Sequence, residues 1–357
     1  MSNIPPKIKE KVGRNLYLQK YHPLEIIKTH ITKHFDSIGS FATYEGLNPY
    51  VSIVNNFDKL LIPTDHPARG RTDTYYLDDQ TVLRTHTSAH QYELLKKGER
   101  RFLVTGDVYR KDEVNCTHSP VFHQMEGVSL VEKDQDPEEE LKTVLVGLVQ
   151  YLFPKCEYRI NPDYFPFTHP SFEIEVKYSG KWLEILGCGV IQPAILNDAG
   201  LVGEKGWAFG LGLERLAMIL FNIPDIRLFW TDEPKFLDQF KSGEIVTYQP
   251  YYILEPITKD LCFWVTPNKV QDNKWSHEND FYEICRDVTD DLLESIELYN
   301  VFLHPKHQKY AISFHFTYSP PDTKISNPGE FTKIVLDYQD KIAATAAQTL
   351  GIELRYV

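Results

Sequence analysis

GLGLERLAMILFNIPDIRLFW, residues 210–230, governs how the rest of the chain is read. Gly210 and Gly212 open a run that turns apolar at Leu213 and stops at Pro224. Leu213, Leu216, Ala217, Met218, Ile219, Leu220 and Phe221 leave no polar face, so the spacing predicts a buried helix. Glu214 and Arg215 sit inside it. A guanidinium keeps its charge in a protein and is costly to bury unpaired. Either an acid such as Glu214 pairs with Arg215, or its partner is an anion arriving from outside. The two glycines permit unusual dihedrals and close backbone approach where Arg215 emerges. That suits a planar base or a phosphate laid on backbone beneath a guanidinium. The spacing matches neither a Walker loop nor a dinucleotide fingerprint.

A second arginine answers the first. RFLVTGDVYR (101–110) and VFHQMEGVSLVE (121–132) alternate as two antiparallel strands joined by the loop KDEVNCTHSP. Arg110 ends the first strand, Thr117, His118 and Ser119 lie in the loop, and Phe122 lies on the return. An arginine at a strand end, a polar loop and an aromatic plate are the parts of a triphosphate grip. By the period of two, Gln124 and Glu126 point to the same face as Phe122. An amide beside a carboxylate can hold an ammonium group. His118 alone reads as a solvated side chain on the surface; the whole set within one hairpin does not.

Upstream, a basic segment (1–20) precedes a helix expected over 23–35. DPEEELKTVLVGLVQYLF (136–153) has an amphipathic period with acids in its first turn. SFEIEVKYSG and KWLEILGCGV form a hairpin turning at Ser179 and Gly180. Strands followed by strands predict an α+β domain over 21–245, with a mainly antiparallel sheet carrying helices on one side. After KSGEIVTYQP the pattern changes. LCFWVTP reads as a short strand. NDFYEICRDVTDDLLESI puts Phe281, Ile284, Cys285, Val288, Leu292 and Ile296 on one helical face. IELYNVFL and YAISFHFTY pair over HPKHQK, a helix follows Asn327-Pro328 to about Leu350, and IELRYV closes. That order, βαββαβ, is a complete ferredoxin-like unit over 246–357.

The 357 residues carry 50 acidic and 38 basic side chains, a net charge of −12. This excludes a general nucleic-acid coat and leaves room for a local basic face that reads one RNA. KIKEKVGR with Lys20, Lys28 and Lys33 is such an excess, with a solvated tail and helix face as the equal alternative. As a matrix presequence residues 1–20 fit weakly, being Lys-rich with one Glu. No apolar stretch approaches the roughly 20 residues of a membrane-spanning helix, so no membrane partner is expected. Five scattered cysteines without a CxxC pair argue for a reducing compartment rather than disulfides or a zinc knuckle.

RFLVTGDVYRKDEV with HSPVFHQMEG resembles motif 2 of the class II aminoacyl-tRNA synthetases. GWAFGLGLERLAMILFNIPDIRLFW resembles their motif 3, and NFDKLLIPTDHPARGRTDTYYL, with Pro63, their motif 1. RTHTSAHQ, YFPFTHPSFEIE and WLEILGCGV are similar to the phenylalanyl-tRNA synthetases. The C-terminal unit resembles the ferredoxin-fold anticodon-binding domain of their single-chain organellar form, and the match runs from about Val12 to the C-terminus. The resemblance implies ATP-dependent attachment of phenylalanine to tRNA(Phe) through an adenylate, by a monomer, with Mg2+ accompanying ATP and no tightly bound cofactor. The implied compartment is the mitochondrial matrix, with cytoplasm or another organelle as alternatives.

The same resemblance assigns residues. Arg110 and Arg215 are implied as catalytic, and ATP would also meet Thr117, His118, Ser119, Phe122, Gly210 and Gly212, with adenine between Phe122 and Arg215. Phenylalanine would meet His86, Ser88, His90, Gln91, Gln124, Glu126, Phe165, Phe167, Glu184, Ala208 and Phe209. Lys306, His307, Lys309 and Arg355 are implied for tRNA. Phe314 and Phe316 are stacking candidates that alternate along a strand, and core packing is the favoured reading for at least half of such aromatics. Glu184 and Glu175 are candidate carboxylates near magnesium. Two rivals keep the fold: a non-catalytic RNA-binding relative, opposed by the intact Arg110, Gln124, Glu126 and Arg215, and an amide ligase with the same ATP grip, opposed by YFPF and the βαββαβ tail.

Overall fold

The computed structural model describes residues 2–178, 180–251, 254–321, 325 and 327–355. Helix α1 (Pro23–Ile38) begins where the His22 imidazole accepts the Leu24 N–H and proline takes the first helical position. Strands β1 (Ala42–Glu45), β2 (Arg101–Tyr109) and β3 (Val121–Leu130) follow. Helix α2 (Pro137–Leu152) starts under an Asp136 cap with three glutamates in its first turn. Then come β4 (Tyr158–Asp163), β5 (Thr168–Tyr178), β6 (Lys181–Ile191) and β7 (Gly206–Gly212), which runs straight into α3 (Leu213–Phe221). The seven strands form one sheet in the order β1-β2-β3-β7-β6-β5-β4. The β1–β2 pair is parallel and the other pairs are antiparallel. Of the expected β5–β6 turn, Ser179 lies outside the described residues, and Gly180 takes a φ of +80°, a conformation glycine tolerates.

The period of two divides this sheet into a core face and a cleft face. Met125, Trp207, Phe209 and Leu211 pack beneath it against Ile27 and Ile31 of α1 and Leu145 and Leu148 of α2. Phe122, Gln124, Glu126, Ala208, Gly210 and Gly212 alternate with them. The expectation of helices on one side is incomplete, because the short helices Gln91–Lys96 and Pro193–Asp198 build a smaller core on the other side with Phe102, Val128 and Ala208. The N-terminal segment is not a solvated tail: Ile4, Ile8, Leu16 and Tyr17 are buried in the main core. Lys7 and Lys11 pair with Asp290 and Asp291 at 2.6 and 3.6 Å.

The second sheet is built from β8 (Ile257–Val265), β9 (Leu293–His304), β10 (Lys309–Tyr318) and β11 (Glu353–Leu354), in the order β9-β10-β8-β11. Helices α4 (Glu278–Thr289) and α5 (Pro328–Leu350) complete the βαββαβ order. Helix α5 starts where Asn327 accepts the Gly329 and Glu330 N–H groups and ends at Gly351, φ +62°. Strand β8 starts four residues before the expected one. Helix α4 does not reach Ile296. Asp290 takes a φ of +51°, the Thr289 hydroxyl bonds back to the Cys285 carbonyl at 2.8 Å, and Ile296 pairs with Phe316 as strand. Phe314 and Phe316 are fully buried core residues, so neither is a base-stacking plate.

The two parts meet along the loop after β2. Val114 is buried in the second core, and the Ile296 N–H donates to its carbonyl at 2.9 Å. Arg286 donates to the Asp112 and Glu113 carbonyls, and Tyr75 to Glu283 at 2.8 Å. All five cysteines are free, and no helix among the described residues is long and apolar enough to cross a membrane.

Candidate active site

Two cavities, of about 270 and 360 Å³, open side by side on the cleft face and share Arg110, Gln124, Glu184 and Gly210. The smaller one brings together Arg110, Thr117, His118, Ser119, Phe122, Gly210, Gly212 and Arg215. The larger one brings together His86, Ser88, Gln91, Gln124, Glu126, Phe165, Phe167, Glu184, Ala208 and Phe209. His90 is absent from both. Its ring is buried against the Arg84 guanidinium at 2.9 Å, so it buttresses the loop from behind.

Arg110 projects from the end of β2 and is fixed by its Nε–H, which donates to the Thr85 carbonyl at 2.7 Å. Its guanidinium lies 5.3 Å from the centre of the Phe122 ring. Protein atoms crowd it, yet the side chain stays open to solvent through the cleft; crowding lowers its proton affinity, and Asp112 and Glu184 work the other way. An arginine remains a cation under such a shift, and no described carboxylate forms an ion pair with this one. It is a positive charge waiting at the junction of the two cavities.

Arg215 departs from the expectation. The helix is buried apart from the half-buried Met218 and Leu220 and from this residue, whose side chain is 49 % exposed and reaches Glu184 at 3.3 Å. An exposed pair at that distance contributes little and yields easily to a better anion. The apolar run thus describes α3, and its arginine emerges on the cleft side against Glu184 rather than Glu214. The glycines also act differently from expectation. Neither Gly210 nor Gly212 has a positive φ; both are ordinary strand residues. What matters is the missing side chain: a Cβ on Gly210 would lie 3.0 Å from Gln124 Nε2, and one on Gly212 would stand in open space above the sheet.

The loop residues are less equal than their spacing suggests. The His118 ring is held by Asn115 at 2.8 Å and Thr117 at 3.2 Å. The Ser119 hydroxyl donates to the Val121 carbonyl at 2.8 Å and so closes the loop internally. On β3, the Gln124 amide oxygen accepts the Thr87 N–H at 3.0 Å, which turns its NH2 toward Gly210. Gln124 thus offers a donor to the cleft. It suits a carboxylate or phosphate oxygen, not the ammonium group that the sequence suggested it would share with Glu126.

Glu126 is 2 % exposed, and its Oε2 has no partner. Burial pushes its carboxyl up to about 8, against the pull of the Ser88 and Thr87 hydroxyls. Both nitrogens of His86 are likewise buried without partners, and burial, aided by the Arg110 charge, holds the ring neutral with a pKa of about 3. Phe165 and Phe167 lie parallel, centroids 5.7 Å apart and 14° between planes. Ala208 and Gly187 leave depth in front of them, and a Cβ on Gly187 would meet the Phe165 ring at 2.7 Å. The Phe209 ring belongs to the core face, stacked on Phe35 at 5.3 Å, and backs the cavity. Glu175 lies outside both cavities, ion-paired with Arg159 and bound by Asn161.

Sequence reasoning misses His66 and Tyr164, which line the larger cavity; both lie in quoted motifs, DHPAR and YFPF. It also misses the buried pair of Arg84 and Asp107, 2.6 Å apart, behind the loop that carries His86 and Ser88. Lys306, His307, Lys309 and Arg355 gather at one end of the second sheet. Lys306 is exposed, His307 lies 5.2 Å from Trp264, and the Arg355 guanidinium lies 4.9 Å from the same indole. Lys309 is already paired with Glu353.

A family model described as the class II core domain of tRNA synthetases (F) matches residues 7–240. The chloroplastic/mitochondrial phenylalanine–tRNA ligase of Arabidopsis thaliana is 43% identical over 367 residues, covering 99% of this chain and 83% of that one. The mitochondrial phenylalanine–tRNA ligase of Mus musculus is 41% identical over 399 residues, covering 99% and 86%. That of Saccharomyces cerevisiae is 33% identical over 437 residues, covering 99% and 92%.

Proposed function

The chain belongs to the class II tRNA synthetases and, among them, to the organellar phenylalanine–tRNA ligases, and from that membership we propose how its cleft performs ATP-dependent attachment of phenylalanine to tRNA(Phe). One observation carries the reading: two cavities of unlike chemistry join at Arg110, Gln124, Glu184 and Gly210. Phenylalanine occupies the larger one, its ammonium group on Glu126 and its ring against Phe165 and Phe167, where edge contacts suit the aromatic quadrupole. ATP occupies the smaller one, adenine between Phe122 and Arg215, α-phosphate at Arg110, outer phosphates toward His118.

The phenylalanine carboxylate attacks the α-phosphorus, the bond to pyrophosphate breaks, and a ribose hydroxyl at the tRNA 3′ end then displaces AMP from the adenylate. Arg110 and the Gln124 NH2 face the junction where negative charge builds on phosphate oxygens. Two fixed reactants and preorganised donors lower such a barrier without a protein nucleophile. Mg2+ accompanying ATP neutralises phosphate charge. Among the described residues Glu184 is the carboxylate lining both cavities and the one at hand for it, with no cluster of three acidic, His or Cys groups to form a separate metal site.

We read residues 21–245, with the basic segment 1–20, as the catalytic domain and 246–357 as the anticodon-binding domain, with Lys306, His307 and Arg355 toward tRNA and Lys309 held back by Glu353. The enzyme works as a monomer in the mitochondrial matrix. Exchange of labelled pyrophosphate into ATP tests the cleft: phenylalanine should support it and the other amino acids should not. No exchange with phenylalanine, or equal exchange with several amino acids, contradicts the reading.

A further inference from the structure

We infer that Glu214 is a positioning residue which, through His123, sets the slot between Phe122 and Arg215 and so governs ATP but not phenylalanine. The inference rests on the reading of the smaller cavity as the nucleotide site. Strand β7 ends at Gly212 and α3 begins at once, so the last register pair between β3 and β7 is Gln124 with Gly212. The His123 N–H points past the end of β7, where no strand carbonyl remains. Glu214 takes it: Oε2 accepts that N–H at 2.8 Å, and Oε1 accepts the imidazole Nδ1–H at 2.7 Å.

Both side chains are shut off from solvent. The imidazole is wedged between Tyr17, edge-on at 5.6 Å, and Trp230 at 5.7 Å, and its Nε2 has no partner. Glu214 is therefore the ring's whole polar attachment. Hydrogen bonds to a buried carboxylate are short and strong, and removing the acceptor leaves a buried N–H unmade.

Adjacent strand residues face opposite sides of a sheet. With His123 pinned beneath, the Phe122 ring is pinned above, toward the cavity. Glu214 also precedes Arg215, so the same carboxylate fixes the first turn of the helix that carries the arginine. One clamp holds both walls of the slot, while the ammonium and phenyl contacts of the larger cavity lie on other residues. A pair that only stabilised the strand–helix junction would lower the melting temperature and leave the balance between the two substrates unchanged.

Pyrophosphate exchange separates these outcomes. Glu214→Leu keeps bulk without acceptors and should raise KM for ATP about tenfold or more, with KM for phenylalanine within about twofold. Glu214→Gln should restore part of the loss: its amide oxygen can take the His123 N–H, while its NH2 can donate to Nδ1 only with the ring proton on the buried, partnerless Nε2. If Glu214→Leu does not fold, Glu214→Asp, one methylene short, should show the same one-sided rise in KM for ATP. Equal rises in both KM values, a fall in kcat with both unchanged, or a Gln variant no better than Leu overturns the inference. Failure of the unmodified enzyme to exchange at all would instead remove the nucleotide reading of the cavity, and the inference with it.

Discussion

Glu126 on β3 stands directly opposite Gly210 on β7, so a buried carboxylate faces bare backbone where a side chain would close the cleft. Gly187 on β6 continues the row, paired with Gly210 and lying under the Phe165 ring. Charge at one end and aromatic rings at the other match the two ends of an amino acid with an apolar side chain. The glycines between them keep the floor flat.

The carboxylate gives that floor a pH signature. Glu126 is held up at about 8 in the free protein, and only its ionised form attracts an ammonium group. Phenylalanine affinity should therefore fall as pH drops below about 8, by about tenfold per unit until the pKa of the complex is reached, with a proton released on binding near pH 7. Calorimetry in buffers of different ionisation heat checks both. Stability runs the other way. A carboxyl raised from 4.5 to about 8 contributes stability that is full below 4.5 and is lost as pH rises through about 8. Glu126→Gln should abolish phenylalanine binding and yet exceed the unmodified protein in unfolding free energy above pH 8, on the order of a few kcal/mol by denaturant unfolding.

Pocket depth rests on Ala208, whose side chain lies on the cleft face beside Val128. Ala208→Gly should admit para-substituted phenylalanines in the exchange assay, while phenylalanine itself loses no more than a few-fold in kcat/KM, since one methyl of packing is worth about 1 kcal/mol. Unchanged selectivity would contradict the pocket assignment.

The two prominent arginine pairs should respond oppositely to removal. Arg215 is half exposed and loosely held by Glu184, so Arg215→Ala should leave thermal stability within about 0.5 kcal/mol and raise KM for ATP by tenfold or more. Arg84 and Asp107 are fully buried at 2.6 Å. Arg84→Met strands Asp107 and should cost about 3–5 kcal/mol by denaturant unfolding.

At the far end of the second sheet, Lys306 is exposed while Lys309 is paired with Glu353. Lys306→Ala should raise KM for tRNA in charging, leave phenylalanine-dependent exchange intact, and reduce the salt dependence of tRNA binding by about 0.7–0.9 in log–log slope. Lys309→Ala should do less. Filter binding across a salt series distinguishes the two.

Much of this was legible in the chain because it depends on local rules. The β2–β3 hairpin, the Asp136 and Asn327 caps and the βαββαβ order follow from period and from residues that satisfy helix ends. What escaped depends on distant partners. Alternation tells that Phe314 and Phe316 share a face, but not that α4 and α5 cover it. The apolar run of α3 hides Arg215 because periodicity cannot say that one side of that helix borders a cleft. Gln124 presents its NH2 only because Thr87, 37 residues away in sequence, claims its oxygen. His90 reads as a ligand residue within RTHTSAHQ until Arg84 is seen against it.

In the proposed reaction one adenylate spans both cavities, with Arg110 at its phosphate. A crystal structure with a non-hydrolysable sulfamoyl analogue of phenylalanyl-adenylate would locate it. Density for adenine between Phe122 and Arg215, the bridging group at Arg110 and the ammonium on Glu126 is the expected result. An analogue bound elsewhere, or adenine outside that slot with Arg215 still on Glu184, would contradict it.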